Sequence, residues 1–452
     1  MRSTRVALIS AATFALALTP APATAAQPAP AQRTAVGDAP DLTTLPGLGT
    51  VATDVAGHAI VVATDLERHR VTYRTRTRAG WWSKAATVPG LTTVMSSHAE
   101  VAAGPAGTAV VVAFTRELGG LAVVTRAANG RWSLPYRVSR STSAIGGFDV
   151  AMNADGDIAV AWQARWDHGK FFAAIRQRGG SWQRTLVGGD TTSNDNPNGA
   201  VAVGIDARGD VSVARNVRNG RILLRVKPVH GTWRPQRQLS RSAEIASLAT
   251  MIVEPTGRRS VAYVAYPRTG PWGDGRGVVL HQQRLGGPHH RVWAKSGTGA
   301  PGIAAAGGRL RVAWTAEVGV QPPPSSDPEF TTRTRQAYTQ LFTVDAHPAR
   351  TVGAPHTTHY GRFSAATGID RYGRGAVVLF DYDTGVEAFG IRDSWMSPGP
   401  RQGLAQNAAC AGGEVAVGPG GNYVVEFLQM AGIYQTLPPR PAETLAFSGG
   451  PR

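Results

Sequence analysis

The sequence predicts an all-β chain folded as a β-propeller of four-stranded antiparallel blades, about eight in number with seven as the alternative, in a single domain. Three periodic markers carry this expectation. A glycine of the unit's first turn recurs at Gly57, Gly107, Gly156, Gly209, Gly257, Gly307, Gly373 and Gly420, at steps of 50, 49, 53, 48, 50, 66 and 47 residues. A tryptophan follows at Trp82, Trp132, Trp182, Trp233 and Trp395, 22 to 26 residues after its glycine. An aromatic closes the second strand at Phe114, Trp162, Tyr266, Trp314, Phe380 and Phe427, with Thr64 and Arg215 as exceptions. A four-stranded sheet with two apolar faces cannot bury both alone, so its copies must stack, and a period near 50 is propeller-sized.

Residues Val101 to Arg140 show the unit in its plainest form: a short strand, a Pro105-Ala-Gly107 turn, an apolar strand ending in Phe114, a polar loop, a third strand, an Asn129-Gly130 turn and a last strand opened by Trp132. Glycine recurs in the first turn because a tight hairpin needs φ > 0 somewhere, which is costly for a residue with a Cβ. The second strand, as in Ile158-Ala-Val-Ala-Trp162, alternates with β period. Its closing aromatic is expected between blades, each burial contributing roughly 1.5–3 kcal/mol. The periodic Trp is expected to open the outermost strand and to pack onto the neighbouring blade. Trp293 follows its glycine by 36 residues, which an insertion near Pro267 to Gly277 would explain, and units six and eight lack the marker.

Residues 1–26 read as a secretory signal peptide: Arg2 and Arg5 precede the apolar run Val6 to Leu18, and Ala23-Thr-Ala-Ala26 offers the cleavage site. That run is shorter than the roughly 20 residues a bilayer span requires. Residues 27–40 are Ala- and Pro-rich and are expected to be a disordered leader. The propeller is assigned to 41–449, with units starting near 51, 101, 150, 201, 250, 303, 366 and 415. Asp41 to Gly47 resembles Lys84 to Gly90, the outer strand of unit one, and is expected to complete unit eight and close the ring. Cys410 is the single cysteine, so no intramolecular disulfide exists; it is expected to be buried and inert. The mature chain is therefore expected to be secreted, extracellular, monomeric and not membrane-inserted.

The net charge of +17 falls by two when Arg2 and Arg5 leave with the signal. Only four of the 47 basic residues are lysine, a bias that suits a GC-rich genome. Two readings stay open: a solvated basic surface, or affinity for an extracellular polyanion such as an acidic polysaccharide. No run of consecutive basic residues supports specific nucleic-acid binding. No nucleophile elbow, P-loop, HExxH or dinucleotide fingerprint is placed. The texture of AVAW or VVVAF followed by a Gly turn and a Trp strand resembles exported bacterial β-propellers of the sialidase-like repeat type, over roughly residues 50 to 448. The resemblance implies a fold and no particular activity. The sialidase Asp-box, S-x-D-x-G-x-x-W, does not occur.

Loop lengths divide the unit by face. The turns between first and second strands and between third and fourth are short and alike; the connections from second to third strand and from unit to unit are long and dissimilar. Function is expected on the variable side of a rigid scaffold. That side gathers Arg165, Trp166, Asp167 and His168, then Trp272, then His359, Tyr360 and Arg362, then Asp381 and Tyr382. Aromatics beside arginines and carboxylates suit carbohydrate, where rings stack on sugar faces and charged groups bond hydroxyls. No catalytic cofactor is implied; Asp190 and Asp195, in an Asp/Asn-rich run, are candidate ligands for a structural calcium. The long segment Gly319 to Gln336 reads as an excursion, either a flap or disorder. The first reading is a non-catalytic exported propeller that binds a polysaccharide or cell-envelope ligand. The alternatives are a polysaccharide-cleaving enzyme, a uronate lyase or glycosidase, at the channel mouth, and a structural or protein-binding scaffold. For a lyase, Arg165 with His168, or Arg362 with Tyr360, would supply the carboxylate partner and the base.

Overall fold

Alternating apolar strands joined by glycine turns produce, among the described residues, eight four-stranded sheets, every neighbouring pair antiparallel. The computed structural model describes residues 43–46, 48–65, 67–92, 99–116, 118–139, 145–164, 169–189, 200–217, 220–267, 277–283, 289–293, 301–321, 332–342, 352–358, 363–370, 372, 374–381, 385–391, 398–406, 409–417, 423–430 and 443–449. Sheet 1 comprises Leu48–Thr53, Ala59–Asp65, Arg70–Arg76 and Ala86–Thr92; sheet 2, Glu100–Ala103, Ala109–Thr115, Gly120–Arg126 and Tyr136–Arg137. Sheet 3 comprises Ile145–Met152, Ile158–Ala164, Lys170–Arg176 and Gln183–Gly188; sheet 4, Val201–Ile205, Val211–Val217, Arg221–Lys227 and Arg237–Gln238. Sheet 5 comprises Glu244–Val253, Arg259–Pro267, Gly277–Gln283 and His289–Trp293; sheet 6, Gly302–Ala306, Arg309–Gln321, Thr332–Phe342 and Val352–Thr358. Sheet 7 comprises Phe363–Ile369, Gly375–Asp381, Gly385–Ile391 and Pro398–Gln406.

Sheet 8 is built from both ends of the chain. Ala409–Val417, Tyr423–Met430 and Glu443–Gly449 supply three strands, and Thr43–Pro46 supplies the fourth, with Thr43 opposite Ala446 and Pro46 opposite Glu443. Glu443–Gly449 is thus the third strand of its sheet. First strands touch in order from sheet 1 to sheet 8, and the first strand of sheet 8 touches that of sheet 1. A side-chain bond crosses the same junction, where Thr53 Oγ1 donates to the Val417 carbonyl at 3.2 Å.

The core lies between the sheets and not within any one of them. Ile60, Val62 and Val71 of sheet 1 pack with Val111, Ala113 and Val124 of sheet 2. Val110, Val112 and Leu121 pack with Ile158, Val160 and Trp162 of sheet 3, and the pattern continues through sheets 4, 5 and 6. Val51 and Val61 of sheet 1 meet Val424 of sheet 8. Second strands are therefore buried on both faces, as Ala59–Asp65 and Ile158–Ala164 are along their whole length.

The periodic tryptophans reach back to the preceding sheet. Trp132 packs edge-on against Tyr73 with ring centroids 5.0 Å apart, and its Nε1 donates to the Tyr73 hydroxyl at 3.2 Å. Trp182 stacks on Tyr136, and Trp233 Nε1 donates to Thr185 Oγ1 at 3.0 Å. Trp293 does not share this position. It pairs with Val279 at the far end of the outer strand, whereas Trp82 and Trp132 pair with Arg76 and Arg126, the last residues of their third strands. The Gly319 to Gln336 excursion is also ordered differently from the expectation. Val320 pairs with Arg333 and Gln321 with Thr332, so the alternating Thr and Val residues at both ends of the segment prolong the hairpin, and only its tip, 322–331, lies outside the described residues.

Candidate functional site

The meander fixes which connections emerge at which edge of a sheet: first and third turns at one edge, second turns and sheet-to-sheet connections at the other. At the tight-turn edge one bonding pattern recurs. Asp54 Oδ1 accepts the Ala56 and His58 N–H groups, both at 2.9 Å, and Asp206 Oδ1 accepts those of Arg208 and Asp210 at 3.0 and 2.9 Å. Asn153 and Asp370 do the same for the residues two and four positions on. These are side-chain-capped turns. The glycine before the closing residue takes positive φ, for example 92° at Gly57 and 86° at Gly209.

The same groups join one sheet to the next. Asp54 Oδ2 accepts the Gly107 N–H at 2.9 Å, Asn153 Nδ2 donates to the Asp206 carbonyl at 2.9 Å, and the Ala207 N–H donates to the Pro255 carbonyl at 3.1 Å. Burial pushes the Asp54 carboxyl up, but the bonds from His58 and Gly107 more than offset it and hold the group below the ordinary carboxylate range. Nearer the molecular interior, Asp149 of sheet 3 accepts the Val203 N–H of sheet 4 at 2.6 Å and its neighbour Val150 N–H at 2.7 Å. Burial dominates there and raises its pKa to about 6. Both oxygens bind backbone, which makes Asp149 an inter-sheet tie.

The residues singled out from sequence were expected at the opposite edge. Arg165, Trp166, Asp167, His168, Trp272, His359, Tyr360, Arg362 and Tyr382, with the calcium candidates Asp190 and Asp195, lie outside the described residues. Asp381 is placed at backbone level, as the last residue of a second strand, opposite Phe363 and Gly385. The described strand ends that precede these segments, Ala164, Pro267, Thr358 and Asp381, all fall on the long-loop edge of their sheets. No group of three His, Cys, Asp or Glu side chains suited to a metal occurs among the described residues.

Two arrangements are defined at that edge. Asp65 is buried and accepts from the Arg68 N–H and Arg68 Nη1, with Arg70 Nε 3.5 Å away. Burial raises its pKa, and the Arg68 bonds with the charges of Arg68 and Arg70 outweigh that and lower it. Arg215 occupies the slot that holds an aromatic in six other units. It is buried, lies over the Phe171 ring of sheet 3 at 5.1 Å and donates to Gln236 Oε1 at 2.9 Å. A Cβ on Gly188 would collide with its Nη2, so that glycine makes room for the guanidinium.

A second basic series escaped the sequence reading. Arg76, Arg126, Arg176 and Lys227 close the third strands of sheets 1 to 4, each opposite the first residue of the second strand. Their spacing of 50 or 51 residues was available in the sequence. It is masked there by the abundance of arginine.

No family model matches the chain, and no curated protein matches it in sequence. Among solved structures, the BP39L lectin from Burkholderia pseudomallei superposes with a TM-score of 0.52 at 14% identity, over 81% of this chain and 100% of that lectin. This chain shares that lectin's fold. The polysaccharide lyase Uly1 gives a TM-score of 0.47 at 7% identity, over 86% of this chain and 88% of that one. A lectin of Aleuria aurantia, described as a six-bladed β-propeller with a novel fucose recognition mode, gives 0.36 at 9% identity, over 67% and 95%. Among the described residues, no helix is long and apolar enough to cross a membrane.

Proposed function

We propose that the chain is an exported, monomeric, non-catalytic β-propeller of eight blades that binds a polysaccharide or another polyanionic component of the cell envelope with its long-loop edge. The observation that supports this best is the fold shared with the whole length of a lectin. Eight sheets whose first strands touch in a cycle supply a rigid frame for such a site. Sequence variety confined to one edge supports a ligand there. Residues 1–26 serve as the signal peptide, 27–40 as a leader, and the excess of arginine provides the attraction for acidic chains. The repeat texture keeps this reading close to the sialidase-like class of exported propellers, without the Asp-box or its chemistry.

The test is incubation of the mature protein with neutral and acidic polysaccharides, following both pull-down and absorbance near 235 nm, where unsaturated uronate absorbs. Capture of an acidic polysaccharide without absorbance growth is the expected result, with capture reduced in Arg165→Ala and His168→Ala. Growth of absorbance would replace the binding reading with a lyase. Failure to capture any glycan would remove carbohydrate binding altogether.

A further inference from the structure

Two cavities open at the tight-turn edge, the edge from which no function was expected, and each lies between neighbouring sheets. One, of about 170 Å³, is lined by Asp54, His58, Thr75 and Arg76 from sheet 1 and by Thr108 and Arg126 from sheet 2, among others. The other, of about 280 Å³, lies between sheets 3 and 4 and includes Gln177, Gln183, Lys227 and His230. We propose that the cavity between sheets 1 and 2 binds a compact oxyanion, the carboxylate or sulfate ester of an acidic sugar, with Arg126 as its main ligand. The site lies at the edge opposite the glycan-binding edge proposed above and does not depend on that reading.

The lining brings two guanidiniums, Arg76 and Arg126, to a carboxylate that is already occupied. Asp54 is its one carboxylate among the described residues, and both oxygens are already engaged: Oδ1 by the Ala56 and His58 N–H groups, Oδ2 by the Gly107 N–H and by His58 Nδ1 at 2.8 Å. That last contact makes Nδ1 the donor, because an ionised carboxylate only accepts; Nε2 of His58 is then the acceptor nitrogen of the imidazole, with no partner among the described residues, and can take a sugar hydroxyl. Arg126 is anchored by one bond, from Nη1 to the Gly107 carbonyl at 2.8 Å. Its Nε–H is buried and has no acceptor among the described residues, and a buried donor calls for a partner. Arg76 brings a second guanidinium from the adjoining sheet. Two guanidiniums around one fully occupied carboxylate select for a group that brings negative charge and several acceptors.

Size and repetition point the same way. The volume is several times the share of one water, about 30 Å³, which leaves room for an oxyanion together with part of its sugar ring. Gly130 takes φ 84°, and a Cβ there would approach Arg126 Nη2 to 3.3 Å, so the turn leaves the guanidinium its place. In the second cavity Lys227 holds the position that Arg126 holds in sheet 2, His230 brings another imidazole, and no carboxylate among the described residues lines the space.

The experiment titrates the full mature chain, isotopically labelled at arginine and histidine, with D-galacturonate, D-galactose 6-sulfate and D-galactose, reading the Arg126 Nε–H and His58 ring resonances by NMR. At least one charged sugar is expected to shift both saturably, and galactose at the same concentration to shift neither. The better of the two charged sugars identifies the oxyanion as carboxylate or sulfate. Arg126→Gln, or Arg76→Gln should the first variant fold poorly, is expected to weaken binding roughly tenfold or more, and Arg126→Lys to weaken it less. Arg165→Ala and His168→Ala should leave the titration unchanged, which keeps this site's failure separate from that of the long-loop edge. Absence of a saturable shift with both charged sugars, equal shifts with galactose, or wild-type affinity in folded glutamine variants would overturn the proposal.

Discussion

At the tight-turn edge, Asp54, Asn153, Asp206 and Asp370 occupy one structural position and accept the same two backbone N–H groups, whereas the connections at the long-loop edge have no residue type in common. The first edge also ties sheet to sheet, through Asp54 to Gly107 and Asn153 to Asp206. A turn that must close a hairpin and hold its neighbour tolerates few side chains. A connection relieved of that duty is free to vary, and the contrast separates residues retained for folding from residues available for recognition.

The contrast is sharpest where the ring closes, because sheet 8 takes its outer strand from the other end of the chain. Deleting 41–47 removes the four-residue ladder on Glu443–Gly449 and bares that strand's edge. At about 1 kcal/mol per backbone bond, a loss on the order of 4 kcal/mol is expected, visible as a lower Tm and a tendency to aggregate. Unchanged melting would mean the closure contributes nothing.

Next in size is Asp149. Its pKa is raised to about 6 from an ordinary 3.8, so its ionisation opposes folding. The group therefore stabilises the fold relative to an ionised state below about pH 4, and that contribution is lost as pH rises through about 6, by at most about 3 kcal/mol. Relative to Asp149→Asn, the wild type should lose stability between those pH values. Parallel pH profiles of Tm for the two proteins would show that the backbone bonds from Val150 and Val203, and not burial, govern this carboxyl.

Much of this framework was legible because repetition magnifies weak local signals. The glycine of the first turn, the Trp that reaches the preceding sheet and the N-terminal strand that completes sheet 8 each follow from one pattern read several times. What sequence left out depends on partners from another sheet. Arg215 reads as a missing aromatic until Phe171 and Gly188 are beside it. Trp293 reads as a displaced marker, and pairing shows it at the other end of its strand. Asp54 is recognisable as a turn residue, yet its bond to Gly107 crosses 53 positions. The proposed glycan residues were chosen as loop chemistry, and strand order brings the ends that bear them to one edge without fixing their distances.

Asp54 itself allows a smaller and more local test. In Asp54→Asn the Oδ1 bonds can persist, as they do at Asn153, but the amide would present a donor to the Gly107 N–H and to His58 Nδ1. A cost of about 2 kcal/mol is expected from the charge-assisted bonds lost at Oδ2. Because the Asp54 carboxyl is held below its ordinary value, its stabilisation is present above the normal carboxylate range and lost as pH falls through the lowered one. The Tm difference between variant and wild type should therefore shrink in acid; a difference independent of pH would assign the effect to packing.

The smallest effects on stability belong to the long-loop edge, and their smallness is informative. Arg165, Asp167 and His168 follow the second strand of sheet 3, whose described pairing ends at Ala164, opposite Lys170. Replacing each by alanine is expected to change stability by no more than about 0.5 kcal/mol, the range of substitutions that remove no core contact or turn bond. Thermal melts of the three variants beside Asp54→Asn measure the contrast directly. If any of them melts as low as Asp54→Asn, the long-loop edge also holds the fold together, and its sequence variety would then need an explanation other than freedom from structural duty.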